Sequence, residues 1–222
     1  MLVVGVDGCK DGWLAISALD GDFREASLFA HLDELVAAFP TADVVAVDIP
    51  IGYPQGAPRG ADIEARKFVG RRHASVFPTP PRKALIAGNY EDAVTIARAL
   101  TGRGISRQSF ALGPKILEAE SVAKADARVI EVHPEVSFCA LAGRPLASKK
   151  TWQGTVERRA LLGEAGLAIP EELGDAGRAV PDDVLDAGAA AWSAGRIAQG
   201  VAKSLPSPPA EGPGGQRIAI WY

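Results

Sequence analysis

Two aspartates follow short apolar runs, and their positions indicate chemistry. Asp7 comes directly after Leu2–Val6, and Asp48 comes directly after Val44–Val47. Continuous Val-rich runs of this length are typical of strands buried on both faces of a sheet. Because two neighbouring carboxylates repel each other unless a cation lies between them, we predict a metal site here. Carboxylate oxygens favour Mg²⁺ or Mn²⁺ as the cofactor.

A later segment supplies further acidic side chains at the start of a predicted helix. Proline in the first turn, followed closely by aspartates, is typical of a helix that begins near Pro181. Asp182 is predicted to cap this helix, whereas Asp183 and Asp186 are predicted to be catalytic residues and metal ligands. The small residues at 187–191 would let the helix backbone approach the sheet closely.

A third acidic group, which includes a histidine, surrounds the end of the strand predicted at 128–133. Glu131, His133 and Glu135 are candidate catalytic residues there. A lone histidine near a strand end is more often structural than catalytic. One among several carboxylates can instead orient a nucleophilic water or accept its proton, so we include all three in the predicted site.

Basic residues are frequent in the middle of a chain whose formal net charge is -3. Most charged stretches are solvated faces, but cations opposite an acidic crevice are typical of a site for phosphate esters. The predicted substrate-binding residues are Lys10, Arg59, Arg66, Arg82, Gln108, Lys115, Lys149 and Lys150. The tryptophans at positions 13, 152, 192 and 221 are predicted to be core residues.

The order of the predicted elements brings these side chains together. Three antiparallel strands, a helix at 31–39 and a parallel strand at 44–48 are followed by a mainly helical insertion at about 51–127. Another strand and a C-terminal helix complete the order of the ribonuclease H-like fold. We therefore predict one α/β domain over 1–222, with a mixed sheet flanked by helices. The carboxyl ends of its first and fourth strands form the crevice where open α/β sheets place their sites.

The overall composition is that of an ordinary globular protein, and it excludes several classes. The chain has 222 residues, 47% hydrophobic and 23% charged. Two cysteines are too few for a disulfide framework, and no apolar run approaches the ~20 residues of a membrane span. The first strand follows Met1 without a secretion signal, so we expect a cytoplasmic protein with no membrane partner. The Pro- and Gly-rich stretch Pro206–Gly215 is predicted to be a loop.

Several blocks of the sequence resemble those of a family known as domain of unknown function 429. The blocks are Val4–Trp13, Val47–Gly52, Val76–Pro80, Glu131–Glu135 and Asp182–Ala187, and the similarity extends to Ile220–Tyr222. That family is described as predicted ribonuclease H-like nucleases. The resemblance implies the ribonuclease H-like fold and metal-dependent hydrolysis of phosphodiester bonds. Its substrate would be nucleic acid or a small phosphate-containing molecule.

Two other functions stay open on the sequence. ATP-dependent phosphotransfer of the actin and sugar-kinase type also uses an aspartate and glycines after a first strand, and the segment 7–12 fits that pattern loosely. Those proteins duplicate the fold and are much longer than this chain. The other alternative is a non-catalytic domain that binds a nucleotide or a partner protein. The intact acidic set argues against it.

Overall fold

A five-stranded mixed sheet forms the centre of a computed structural model that describes residues 1–54, 56–212 and 215–222. Its strands are β1 (Leu2–Cys9), β2 (Gly12–Leu19), β3 (Asp22–Phe29), β4 (Val44–Asp48) and β5 (Val129–Glu131). They lie in the order β3-β2-β1-β4-β5. The first three strands pair antiparallel, whereas β4 is parallel to β1 and β5 is parallel to β4. This order and these directions confirm the predicted ribonuclease H-like fold.

Helices follow the first three strands, separate the later ones and continue after β5. They are α1 (Leu32–Ala38), α2 (Gly60–Phe68), α3 (Arg82–Leu85), α4 (Tyr90–Thr101), α5 (Arg107–Ala111), α6 (Gly113–Ala125), α7 (Pro134–Ala142), α8 (Trp152–Glu164) and α9 (Pro181–Ala198). Two 3₁₀ helices cover Gly70–Ser75 and Gly174–Arg178. The helices α2 to α6 lie between β4 and β5. Within the described ranges, none of the helices is both long and apolar enough to cross a bilayer.

Both faces of the sheet are covered, which explains why its central strands are apolar at consecutive positions. On one face, Val3 and Ile16 pack with residues of α7, α8 and α9, such as Phe138. On the opposite face, Val4 and Trp13 pack with residues of α1 and α6. Neighbouring residues of β1 therefore enter two different cores, so the carboxyl end of this strand is held from both sides.

The helix α9 approaches the sheet closely at a glycine of β1. A Cβ atom added to Gly5 would lie 1.9 Å from the backbone nitrogen of Ala191 and 2.2 Å from the carbonyl oxygen of Ala187. No side chain fits between the two backbones, so the predicted role of the small residues at 187–191 is confirmed. This contact fixes the height of the first turns of α9 against the carboxyl ends of β1 and β4.

A second, two-stranded sheet stands where the sequence predicted a loop over Pro206–Gly215. That prediction is wrong over most of its length, because β6 (Ser204–Glu211) pairs antiparallel with β7 (Arg217–Trp221). Prolines are tolerated in β6 because it is an edge strand that pairs with β7 on one side. The pairing is irregular between Leu205 and Ala210, where the prolines lie. Pro213 and Gly214, which the predicted loop included, lie outside the described residues.

Candidate metal centre

Three aspartates meet at the carboxyl ends of the central strands. Asp7 of β1 and Asp48 of β4 are partners in the parallel register, so their side chains leave the sheet side by side. The close packing of α9 on Gly5 brings Asp186 to the same point. One oxygen from each of the three carboxylates lies within 4.8 Å of the others. We call these residues the acidic triad; it contains three of the four predicted metal ligands.

The fourth predicted ligand, Asp183, lies one turn earlier on α9 and lines the same cleft. Its charge contributes to raising the pKa of Asp7, after burial and the charges of the other two triad residues. Asp182 does not cap the helix as predicted, because α9 begins at Pro181 with Val180 as its N-cap. The carboxylate of Asp182 instead forms an ion pair with Lys150.

Burial and mutual repulsion disfavour the state in which all three triad carboxylates are ionised. Burial and the charge of Asp48 raise the pKa of Asp7 well above its usual range. Burial, opposed by the nearby ammonium of Lys149, raises the pKa of Asp48 to about 6 and that of Asp186 to about 7. Lys149 forms an ion pair with Asp186. Burial disfavours the charge of this lysine, but the triad carboxylates outweigh that effect and raise its pKa.

The donor set of the triad fits a divalent cation. Among the described residues, Lys149 and Lys150 supply the two ammonium groups that line the cleft beside the five carboxylates of Asp7, Asp48, Asp182, Asp183 and Asp186. Carboxylate oxygens are hard ligands that suit Mg²⁺ or Mn²⁺. A dication among them would remove the repulsion that now raises their pKa values. The predicted pairing of Asp7 with Asp48 at adjacent strand ends is thus present, with a third acid added from α9.

The triad lies at the base of a cleft of about 470 Å³. His133 lines this cleft and caps α7, where its Nδ1 accepts a hydrogen bond from the backbone nitrogen of Glu135 at 3.2 Å. Burial lowers the pKa of His133, although neighbouring carboxylates oppose that effect. A neutral imidazole whose Nδ1 accepts carries its proton on Nε2, so His133 is a hydrogen-bond donor in this arrangement.

A family model described as "Protein of unknown function (DUF429)" matches residues 5–211. The chain belongs to the DUF429 family. The resemblance drawn from the sequence blocks is therefore confirmed. None of the curated proteins matches the chain. Among solved structures, the chain is similar to T. thermophilus RuvC in complex with Holliday junction substrate, at 18% identity and a TM-score of 0.39. That similarity covers 91% of this chain and 98% of the RuvC chain. The fold of this chain follows from its own strand order, β3-β2-β1-β4-β5.

In this DUF429 protein, two predicted catalytic acids line the cleft but are paired with arginines. Glu131 forms a two-pronged pair with Arg59, with contacts of 2.7 and 2.9 Å, and also accepts the backbone N–H of Ile51 at 2.7 Å. Glu135 accepts two contacts of 3.1 Å from Arg158 and one of 3.3 Å from Arg72. Both pairs are buried, so these carboxylates hold the cleft walls in place.

The predicted substrate-binding residues of this DUF429 protein fall into two groups. Arg59, Gln108, Lys149 and Lys150 line the cleft, although Arg59 is engaged by Glu131 and by Asp62. Lys10, Arg66, Arg82 and Lys115 do not line it. Lys10 is exposed, Arg66 donates to the carbonyl of Val76, Arg82 pairs with Glu120 at 3.0 Å, and Lys115 lies 4.4 Å from the ring centre of Trp13.

Two arginines with roles at the cleft were absent from the predicted site. Arg158 is fully buried in the middle of α8 and holds Glu135, and Arg72 reaches the same carboxylate from the first 3₁₀ helix. The sequence shows both as ordinary cations in a basic stretch. Their partner lies 23 residues from one and 63 from the other, so no local pattern predicts the pairing.

Proposed function

We propose that this protein is a divalent-metal-dependent hydrolase that cleaves phosphodiester bonds in nucleic acid. The observation that carries the proposal is the convergence of the Asp7, Asp48 and Asp186 oxygens to within 4.8 Å of one another. Simple turn or capping roles for these aspartates would not require three elements to bring buried like charges together. The ribonuclease H-like strand order supports the proposal by analogy with nucleases of that fold.

The acidic triad would hold Mg²⁺ or Mn²⁺, with Asp183 as a further ligand. Such an ion activates water and stabilises the charge that develops on the leaving oxygen. The register of β1 with β4 and the packing of α9 support this role, because they bring the aspartates together before any substrate binds. A buried acidic cluster without a cation would instead be a cost to folding.

The other cleft residues have roles that follow from their contacts. Lys149 and Lys150 carry positive charge at the rim of the acidic centre, where they can bind phosphate oxygens. His133 presents a donor that suits a non-bridging phosphate oxygen. Glu131 and Glu135 anchor the segments after β4 and β5 through their arginine partners. In this proposal they position the site and do not touch the substrate.

The test compares Asp7→Asn with a matched control, Asp11→Asn. Both replace a carboxylate of the first hairpin by its isosteric amide, but Asp11 is exposed and does not line the cleft. Binding of Mn²⁺ is measured by calorimetry, and cleavage of labelled DNA and RNA is measured with Mg²⁺ or Mn²⁺. We expect Asp7→Asn to lower both metal affinity and cleavage by at least about a hundredfold, and Asp11→Asn to leave both unchanged.

Three results would contradict the proposal. Wild-type protein that binds no Mn²⁺ would remove the metal site. Metal-dependent consumption of ATP without strand cleavage would favour phosphotransfer of the actin and sugar-kinase type. Tight metal binding with neither activity would favour a domain that binds a nucleotide or partner protein without catalysis.

A further inference from the structure

A second cavity of about 470 Å³ adjoins the cleft and is rich in arginine. The polar and charged residues that line it are Arg71, Arg72, Arg144, Ser148, Gln153 and Glu157. Arg72 and Ser148 also line the cleft that contains the acidic triad, so the two spaces are neighbours. We call this space the arginine cavity. It is not part of the site described above, and the proposed hydrolysis does not require it.

The arginines of the cavity have more N–H donors than their contacts within the protein use. Arg71 donates through Nη2 to the carbonyl of Pro145 at 3.1 Å, Arg72 donates through Nε to Glu135 at 3.3 Å, and Arg144 pairs with Glu157. These contacts use one nitrogen of each guanidinium, and a guanidinium has five N–H donors. Among the described residues that line the cavity, three carry a guanidinium group and one, Glu157, carries a carboxylate, although Arg72 also contacts Glu135 of the cleft. Such a cavity suits a phosphate group, which arginine binds in a two-pronged manner.

An exposed tryptophan stands between the cleft and the arginine cavity along the chain. Trp152 is the first residue of α8 and is 84% exposed, so its predicted place in the core is wrong. Lys150, two residues earlier, lines the cleft, and Gln153, the next residue, lines the arginine cavity. Tryptophan is highly buried on average and offers more apolar contact area than other side chains, so an indole this exposed is a candidate contact surface.

The backbone that carries Trp152 is held rigidly. Thr151 caps α8 by accepting the backbone N–H of Gly154 at 3.2 Å, and Thr155 donates to the carbonyl of Lys149 at 3.0 Å. Gly154 packs so closely that an added Cβ would lie 2.0 Å from the carbonyl oxygen of Ser148. The backbone from which the ring projects into solvent is therefore fixed, which lowers the entropic cost of stacking on it.

We propose that the arginine cavity and Trp152 together form a surface that binds a single-stranded segment of nucleic acid, with a backbone phosphate in the cavity and an unpaired base stacked on Trp152. The inference rests on the proposed function for the placement of the cleaved phosphate at the acidic triad, and it names the substrate class of that site. In a duplex, both faces of each base are already stacked, so a protruding indole selects unpaired bases. The overall charge of -3 also suits a short local contact better than a long duplex footprint.

Binding is measured by fluorescence anisotropy in EDTA, with single-stranded DNA and RNA oligonucleotides and a duplex of the same sequence. We expect the single strands to bind more tightly than the duplex. Trp152→Ala should weaken single-strand binding by about tenfold or more, and Trp152→Phe should retain most of it. The matched control is Val156→Ala on the same helix, which also truncates an exposed apolar side chain. The DNA and RNA arms distinguish the two sources of unpaired bases.

Two further readouts separate stacking and phosphate binding from a general loss of structure. Bound oligonucleotide should quench tryptophan emission in wild-type protein, and Trp152→Phe should lose that quenching while it retains affinity. Arg71→Gln and Arg144→Gln should each weaken binding and lower the dependence of log affinity on log salt by about one. Equal affinity for duplex and single strand, absence of oligonucleotide binding, or unchanged binding in Trp152→Ala would each overturn the inference.

The failure of this inference and that of the proposed function have different signatures. Cleavage is measured separately with Mn²⁺. Single-strand binding that depends on Trp152, without cleavage, would overturn the proposed hydrolysis and leave the binding surface intact. Cleavage by Trp152→Ala with an unchanged KM for single strands would leave the hydrolase intact and overturn the binding surface.

Discussion

At the scale of single residues, Lys149 is the most informative group in the cleft. Its ammonium pairs with Asp186, and its charge opposes the rise of the pKa values of Asp7 and Asp48. A monovalent cation at this position compensates part of the charge that a divalent metal would compensate more fully. The lysine therefore stabilises the metal-free protein and, by repulsion, weakens the binding of a metal ion beside it.

Replacement of Lys149 by methionine should reveal how strongly this lysine repels a metal ion bound beside it. The substitution keeps most of the apolar stem but removes the positive charge, so we expect Mn²⁺ to bind about tenfold more tightly. Calorimetry at pH 7.5 and low salt measures the affinity. The matched control is Lys150→Met, because Lys150 pairs with Asp182 outside the triad and is more exposed, so its effect should be smaller. Weaker or unchanged Mn²⁺ binding by Lys149→Met would contradict the electrostatic account.

The sequence predicted Asp7, Asp48 and Asp186 together with Asp183 as metal ligands, but it did not predict the pairing of the other charged residues. Asp7 and Asp48 were predictable because each ends an apolar strand, and strand ends in a parallel pair meet at one edge. The pairing of Glu131 with Arg59 spans 72 residues, and charge alone does not show which of many arginines pairs with which acid. Likewise, tryptophan is a residue type that is usually buried, and the sequence does not show that Trp152 lies in solvent at the start of α8.

At the scale of elements, the site depends on how closely α9 packs against β1. The two backbones are in contact at Gly5, so the distance between helix and sheet is set by the absence of a side chain. The first turn of α9 supplies Asp183, and the second begins near Asp186. Any outward shift of the helix would carry Asp186 away from the partners that it meets in the triad.

The variant Gly5→Ala should disrupt both the packing and the metal site. The added methyl group would lie 1.9 Å from backbone atoms that cannot move aside, so we expect a loss of about 3 kcal/mol or more in the free energy of unfolding. For a domain of this size, that loss lowers Tm by about 6–12 °C. Calorimetric unfolding measures the change, and Mn²⁺ affinity should fall with it.

The control for that variant is Gly195→Ala, on the same helix. A Cβ atom at Gly195 would meet nothing within 4 Å, and alanine favours helix, so stability should stay equal or rise slightly. If Gly5→Ala unfolded within a degree or two of the wild-type Tm, the close approach of α9 would not determine the geometry of the triad.

Elements marked by a short apolar run or by a proline-led helix start were predictable, whereas α7 and β6 were not. The central strands and α9 were predicted from apolar runs and from a proline-led helix start. The helix α7 was not predicted, because Pro134–Cys139 is buried on every side and shows no apolar stripe to distinguish it from a strand. The strand β6 was mistaken for a loop because its prolines mask a pairing that depends on β7.

At the scale of the whole molecule, a modest net charge conceals a strongly uneven charge distribution. The chain carries 24 basic and 27 acidic residues. Several acids nevertheless gather in one buried centre, while arginines line the adjoining cavity. Folding must therefore oppose repulsion in the triad, and the cost depends on how many protons the triad retains. Stability therefore tests the proposed metal site independently of the proposed activity.

The stability of the metal-free protein should fall as pH rises from 5 to 8. In the unfolded chain, Asp48 and Asp186 ionise near pH 4, whereas in the folded protein their pKa values are about 6 and about 7. Below pH 4 both states hold these protons. As pH rises through the folded pKa values, the folded state must release protons that the unfolded state has already released, so these two groups cost about 4 kcal/mol of stability between pH 5 and 8.

Metal should reverse this trend, because it binds the ionised carboxylates. Saturating Mn²⁺ should raise Tm most at pH 8 and least at pH 5, since protons compete with the metal below the folded pKa values. Unfolding curves recorded in EDTA and in Mn²⁺ from pH 5 to 8 measure how Tm changes with pH in the absence and in the presence of the metal. Asp11→Asn should show the same pH dependence of Tm as the wild type. Asp7→Asn should weaken the pH dependence of Tm in EDTA and in Mn²⁺, because it removes one of the mutually repelling carboxylates and one ligand of the proposed ion. A Tm in EDTA that stays level or rises from pH 5 to 8 would show that the triad does not carry the repulsion from which the metal site was inferred.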